Sequence, residues 1–263
     1  MGIRVRWLTG QRVRAIYVIS ACSLALTGCA VKTPYLQARQ WPVSKRVSYY
    51  ADPAPFRIGV LPLEDERPVQ EQRGKRPGGM FLLLWNRRTG DYYTGDHIFG
   101  GTVAPDLTQQ LIAHLQATNA FAEVLLLEPP PNFNPGIPEH ISRFGRDQVV
   151  DYLLRGEIQH FFGSQSQNTY VFLLPLYFVN TFGWQDYKSL PWGKTAIQFT
   201  LSDGRNGDMV WRRFIEADWT MPKDTDAMST AALESFVKAA NQLAIDLRGL
   251  PLQQIQLSSQ QPE

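Results

Sequence analysis

Apolar and polar residues recur along the middle of the chain with periods that predict seven regular elements. Residues 56–63 and 121–127 are short apolar runs closed by prolines or acidic residues, a pattern typical of buried strands. Between them, residues 101–119 carry apolar side chains three and four positions apart, which predicts an amphipathic helix. The first half of the domain is therefore expected to run strand, helix, strand.

The second half is predicted to begin with a longer strand over residues 151–162, in which Gly156 marks a bulge or a close approach. Residues 195–201 and 209–219 flank a turn rich in glycine, aspartate and asparagine, which indicates a hairpin. The pattern over residues 229–247 predicts an amphipathic helix that closes the domain.

This order of elements predicts an α/β fold, with an α+β arrangement left open. We expect a mixed β-sheet of about five strands with two main helices packed on it. Residues 56–250 are long enough to form one domain around one core, and the Gln- and Ser-rich residues 251–263 are expected to form a flexible tail.

Two insertions, residues 78–93 and 170–184, are aromatic and aliphatic where loops are usually polar. We expect two apolar loops that either fold over the sheet as extra core or expose a surface for a protein partner or for lipid. The side chains predicted for such contacts are Phe81, Leu83, Trp85, Phe172, Leu174, Tyr177, Phe178 and Trp184.

The amino terminus carries four arginines and no acidic residue over its first fourteen positions, and residues 15–26 are then uncharged. As a helix, that uncharged run would reach roughly 18 Å, which is short of a hydrocarbon core of roughly 30 Å. Residues 1–28 are therefore predicted to be a secretory signal peptide.

The signal ends in Leu26-Thr27-Gly28-Cys29, which resembles the lipobox of bacterial lipoproteins. The resemblance implies cleavage between Gly28 and Cys29 and a palmitate-type lipid anchor on Cys29, an ordinary signal peptide with a chance cysteine being the alternative. Because Ala30 follows the cysteine, the family's sorting rule implies the outer membrane, facing the periplasm, ahead of the inner membrane. Residues 29–55, rich in proline, are expected to form a lipidated tether.

The cysteine count and the net charge bear on two properties, disulfide bonding and nucleic-acid binding. Cys22 leaves with the signal, so the mature chain has one cysteine and can form no internal disulfide. Loss of the four signal arginines lowers Lys+Arg from 26 to 22 against 24 Asp+Glu, which changes the formal net charge from +2 to −2. This balance gives no reason to expect nucleic-acid binding.

The sequence predicts no catalytic site. His97, His114, His140 and His160 show no zinc-binding motif, and we expect no metal and no cofactor. A nucleophile elbow and phosphate-binding glycine motifs are missing from the sequence. Glu64, Asp65 and Glu66 form an acidic cluster, and Asp65 could pair with Glu157 at neighbouring strand ends, but acidic residues at strand ends more often form turns.

Four ordered segments, FRIGVLPLEDERP, FAEVLLLE, DYLLRGEIQHF and MVWRRF, resemble a group of bacterial envelope lipoproteins. The group includes the domain shared by the curli-secretion lipoprotein and the amino-terminal part of TolB, and auxiliary lipoproteins of ABC-type lipid transport. The resemblance implies an α/β fold that serves assembly, transport or scaffolding, and it brings no catalytic residues.

The leading hypothesis is a non-enzymatic accessory or assembly component of a cell-envelope transport or secretion machine, with an envelope protein as its partner. A lipid-binding or lipid-transport lipoprotein is the second hypothesis, and a hydrolase with dispersed catalytic residues is the third. The sequence leaves the partner and the oligomeric state open.

Overall fold

The computed structural model describes residues 49–74, 79–82, 85–172, 182–187, 189–222 and 228–250, which fall into two compact units. The smaller unit contains described residues of 77–90 and 167–188, and the larger unit contains the rest. Cys29 and Gly28 lie outside the described residues, as do the predicted signal, most of the tether and the tail.

The described residues form nine strands and five helices. The strands are β1 (Ala54–Val60), β2 (Glu64–Asp65), β3 (Gly79–Leu82), β4 (Trp85–Tyr93), β5 (Phe121–Leu126), β6 (Tyr152–Phe172), β7 (Phe182–Tyr187), β8 (Trp192–Asp203) and β9 (Met209–Thr220). The helices are α1 (Val69–Arg73), α2 (Asp96–Phe99), α3 (Val103–Thr118), α4 (Pro138–Asp147) and α5 (Met228–Gly249).

Strand β6 is central to the sheet of the larger unit. On one side, β6 pairs in parallel with β1, which pairs in parallel with β5. On the other side, β6 pairs antiparallel with β8, and β8 pairs antiparallel with β9. The sheet is therefore mixed, which confirms the predicted fold class, and all seven predicted elements are present.

Helices α3 and α5 cover one face of this sheet. Side chains at alternate strand positions point into this layer and are fully buried, because alternate residues of a strand share a face. Ile58, Leu154 and Ile197 are among them, and they share one buried cluster with Leu111 of α3 and Leu243 of α5. Helix α4 forms a second cluster on the opposite face, where Phe144 and Ile141 pack with Leu153.

Two glycines allow α5 to approach the sheet closely. Gly163 of β6 and Gly193 of β8 are register partners. A Cβ atom added to Gly163 would lie 1.8 Å from the carbonyl oxygen of Met228, and one added to Gly193 would lie 2.1 Å from that of Ala231. The first turns of α5 therefore contact the sheet through backbone atoms.

The close approach predicted at Gly156 is confirmed, because an added Cβ atom would lie 2.5 Å from Leu63 Cδ2. The irregularity of β6 lies beyond it, between Ile158 and His160.

The two insertions contain strands where loops were expected. In the smaller unit, β3 pairs antiparallel with β4, and residues 167–172 of β6 pair antiparallel with β7. Leu83, Leu174, Tyr177 and Phe178 lie outside the described residues.

Candidate functional site: an aromatic strand pair and a buried charge cluster

The pairing of β6 with β7 collects aromatic positions on one face. Tyr170 pairs with Trp184, and Phe172 pairs with Phe182. Because alternate residues of a strand share a face, these four positions lie on the same face of the pair, called here the aromatic face. The intervening positions Thr169 and Val171, with their partners Gln185 and Gly183, form the other face.

The aromatic face contains Phe172 and Trp184, which the sequence singled out, together with Tyr170 and Phe182, which it did not. The spacing of two between Tyr170 and Phe172 and between Phe182 and Trp184 was a usable signal. Because the segment was predicted to be a loop, this spacing was not used. A spacing of two places side chains on one face only in a strand.

The pairing of β3 with β4 gives a different result. Leu82 pairs with Trp85, and Phe81 pairs with Asn86. Positions 81 and 85 therefore lie on opposite faces of this pair, so the two described contact residues among the three predicted in the first insertion do not form one surface.

Buried charges form the second feature, in the larger unit. The Arg67 side chain is 0% exposed and donates to Asp65 through Nε, at 2.8 Å, and through Nη2, at 2.7 Å. Nη2 also donates to Asp96 Oδ1 at 2.8 Å, and Nη1 donates to the carbonyl oxygen of Phe161 at 3.4 Å. One guanidinium thus joins the segment after β2, the start of α2 and the backbone of β6.

The charges of this cluster stabilise one another. Burial alone raises the pKa of Asp65, but the hydrogen bonds and positive charge of Arg67 outweigh it, and the net pKa is lowered. Burial alone lowers the pKa of Arg67, and the two carboxylates reverse that effect and raise it. The charged forms of Asp65 and Arg67 are therefore both favoured, and the cluster acts as a structural clamp.

The pairing of Asp65 with Glu157, which the sequence allowed but did not favour, does not form. The register of β2 on β6 places Glu64 beside Glu157 and Asp65 beside Ile158. Asp65 therefore faces Arg67, while the Glu157 carboxylate lies 3.1 Å from Arg155. A shift of one residue along a strand changes the face on which each side chain lies, which is why the residue types alone gave the wrong partner.

The histidines are dispersed, as the sequence indicated. His114 Nε2 lies 3.0 Å from Asn241 Oδ1 between α3 and α5, and burial lowers the pKa of His114. His160 Nδ1 lies 2.7 Å from Glu71 Oε1. Over the residues that the structure describes, no three His, Cys, Asp or Glu side chains are grouped so that they could hold a metal ion.

A cleft of about 180 Å³ lies beside α4. It is lined by Pro130, Asn132, Phe133, His140, Arg143, Phe144 and Asp147. Sites for small molecules usually have volumes of roughly 300–1,000 Å³, so this cleft is small for a substrate pocket.

No helix within the described ranges is both long enough and apolar enough to cross a membrane.

No protein-family model and no curated protein matches the sequence. Among solved structures, XCC0632 from Xanthomonas campestris is 14% identical, with a TM-score of 0.41 over 82% of this chain and 95% of that chain. The PelC dodecamer from Paraburkholderia phytofirmans is 13% identical, with a TM-score of 0.36 over 74% of this chain and 92% of that chain. Lipoprotein GNA1162 from Neisseria meningitidis is 12% identical, with a TM-score of 0.32 over 73% of this chain and 99% of that chain. The structures similar to this chain thus include bacterial lipoproteins.

Proposed function

We propose that the protein is a membrane-anchored lipoprotein that acts as a non-enzymatic accessory or assembly component of a cell-envelope transport or secretion machine. Its proposed anchor is an acyl-modified Cys29, and its proposed location is the periplasmic face of the outer membrane. Each buried methylene of an acyl chain contributes about 0.8 kcal/mol to membrane binding, so two or three chains hold a protein stably at the bilayer.

The observation that carries this proposal is the aromatic face of the β6–β7 pair. Tyr170, Phe172, Phe182 and Trp184 share that face, and residues 170–184 between and including them hold no charged residue. Aromatic residues are enriched at protein interfaces because they combine a large apolar area with few rotatable bonds. We therefore propose that this face contacts an envelope protein partner.

Matched variants of β7 test this proposal. Trp184→Asp puts a charge on the aromatic face, and Gln185→Asp puts the same charge on the next position, which lies on the other face. We expect capture of the partner from gently solubilised envelopes to fall sharply with Trp184→Asp and to persist with Gln185→Asp. If the two variants capture equal amounts of the partner at equal amounts of folded protein, the aromatic face does not contact the partner.

The same uncharged stretch favours a second candidate function, the binding of lipid acyl chains. Lipid that co-purifies with the wild-type protein and is lost with Trp184→Asp supports this second function. A stable protein complex without bound lipid supports the first.

The anchor has a test of its own. Mass spectrometry of the purified native protein is expected to show a chain that begins at an acylated Cys29, and Cys29→Ala is expected to abolish processing and acylation. A product that begins at an unmodified Met1, or a protein found free in the cytosol, would overturn the proposed anchor and location together.

A further inference from the structure

Strand β9 has one hydrogen-bonded neighbour among the described strands, β8. The backbone N–H of Met221 donates to the carbonyl oxygen of Pro191 just before β8, so the odd-numbered positions of β9 direct their N–H and C=O groups toward β8. The carbonyl oxygen of Asp218 accepts instead from Lys238 Nζ at 3.2 Å. The even-numbered positions therefore direct their backbone groups to the outer edge.

The outward positions also carry a distinctive set of side chains. Arg212, Phe214 and Glu216 follow one another at a spacing of two, and all three are exposed, with Phe214 at 47%. They lie on the face of the sheet opposite α5, because their neighbour Arg213 points to that helix and its Nη1 lies 2.7 Å from Asp246 Oδ1. The edge thus presents a cation, an exposed aromatic ring and an anion, in register with backbone groups that pair with no described strand. The anion, Glu216, also accepts from Lys194 Nζ of β8 at 2.8 Å, and its side chain remains 45% exposed beside that contact.

This sequence of charges is complementary to itself in the antiparallel direction. When a second β9 is placed about a two-fold axis at Phe214, each Phe214 lies opposite its copy, and each Arg212 lies opposite Glu216 of the second copy. The paired positions are all outward ones, so their backbone groups face each other as a hydrogen-bonded ladder requires.

Other registers on the outward positions are penalised by the same charges. An axis at 212 places Arg212 opposite itself, and an axis at 216 places Glu216 opposite itself. Like charges directly opposite on neighbouring strands are destabilising, and opposite charges are stabilising. The edge therefore selects one register.

We propose that β9 pairs antiparallel with β9 of a second copy of this chain, about a two-fold axis at Phe214, and so joins two sheets into one. Exposed edge strands are templates for strand pairing, and their charges usually prevent it. Here the charges favour one partner. Attachment of both copies to a membrane would raise their effective concentration, which favours even a modest interface.

Charge reversal tests the register directly. In Arg212→Glu, both cross-strand contacts become Glu–Glu, and in Glu216→Arg both become Arg–Arg. We expect each variant alone to dissociate at least about ten-fold more readily than the wild type. A mixture of the two variants restores an opposite-charge pair at both contacts, so we expect it to dimerise as the wild type does. The control is Arg143→Glu, which makes the same change at an exposed position of α4 and is expected to leave dimerisation unchanged.

The measurement is the mass of the protein component by light scattering, on the full mature protein in detergent. A second measurement uses cross-linking of an introduced thiol on the same protein. Phe214→Cys is expected to form a disulfide-linked dimer because hydrogen-bonded partners lie about 5.5 Å apart between Cα atoms. Val149→Cys, at a position 65% exposed, is the matched control.

A monomeric wild type, a mixture that stays monomeric although both variants fold, or cross-linking of Phe214→Cys no faster than that of Val149→Cys would overturn the proposal. The proposed function survives any of these results, because it depends on the aromatic face of β6 and β7 and on the anchor.

Discussion

Replacement of Arg67 by methionine is expected to lower the free energy of unfolding by about 3–5 kcal/mol. The Arg67 side chain is 0% exposed, and its two carboxylate partners, Asp65 and Asp96, are only 20% and 22% exposed. Removal of the cation therefore leaves two largely buried carboxylates without the described cation that pairs with both of them. For a protein of this size, each kcal/mol corresponds to about 2–4 °C in Tm, so Tm is expected to fall by about 6 °C or more.

The loss is expected to depend on pH. The pKa of Asp65 is lowered in the folded protein, so the stability that this carboxylate contributes is complete above its ordinary value of 3.8 and is lost as pH falls through the lowered pKa. In Arg67→Met, burial remains and the cation is gone, so the pKa of Asp65 is expected to rise above its ordinary value. The difference in stability between wild type and variant is therefore largest near neutral pH and shrinks on acidification.

Urea unfolding of the full mature protein from neutral pH down to about pH 3, which extends below the ordinary pKa of Asp65, measures the loss of stability and its change with pH. The matched control is Arg57→Met. Arg57 Nε lies 2.7 Å from Glu123 Oε2, a distance equal to that between Arg67 Nη2 and Asp65 Oδ2, but its side chain is 38% exposed. A pair this exposed usually contributes at most about 1 kcal/mol. If the two variants lose equal stability, or if the loss in Arg67→Met does not change with pH, the assignment of Arg67 as a buried clamp is incorrect.

Three further outcomes follow from the larger unit. Gly163→Ala is expected to lower stability by about 1–3 kcal/mol, because its Cβ would meet the backbone of α5, whereas Gly249→Ala, with no atom within 4 Å, should be neutral in urea unfolding. The pKa of His114 is lowered by burial, so stability is expected to fall as pH drops below its ordinary value of 6.5, and the urea midpoint of His114→Gln should depend less on pH over that range. Arg213→Ala removes the ion pair of Asp246, whose side chain is 8% exposed, and is expected to lower the free energy of unfolding by about 1–3 kcal/mol in the same assay. A loss no greater than that of Arg57→Met would show that the burial of Asp246 does not strengthen this ion pair.

The elements that the sequence predicted are those with a strong local signal. Residues 229–247 repeat apolar side chains at helical spacing over five turns, and α5 spans Met228–Gly249. Helix α4 was missed because its ten residues carry few apolar side chains, and burial of Ile141 and Phe144 against Leu153 is a tertiary contact. The strands of the second insertion were missed because the spacing of two between its aromatic residues lies within a continuous apolar run, where such a spacing does not stand out.

In the candidate site, too, some features could be predicted from the sequence and others depend on tertiary contacts. Phe172 and Trp184 could be selected from composition, but their place on one face with Tyr170 and Phe182 follows from the register of β6 and β7. The ion pair of Arg67 with Asp96 joins residues 29 positions apart, and nothing in their surrounding sequence marks them as partners.

By itself, the sequence determined what is local: the lipobox resemblance at Cys29, and the strands and helices whose side-chain period matches the geometry of their backbone. A peptide segment carries those signals within a few residues, and they do not depend on the rest of the chain. Only the tertiary structure decided which side chains meet. Pairing register fixes the face on which every strand residue lies, and burial fixes whether a charge needs a partner, so Glu64 rather than Asp65 lies beside Glu157, and Arg67 forms a clamp.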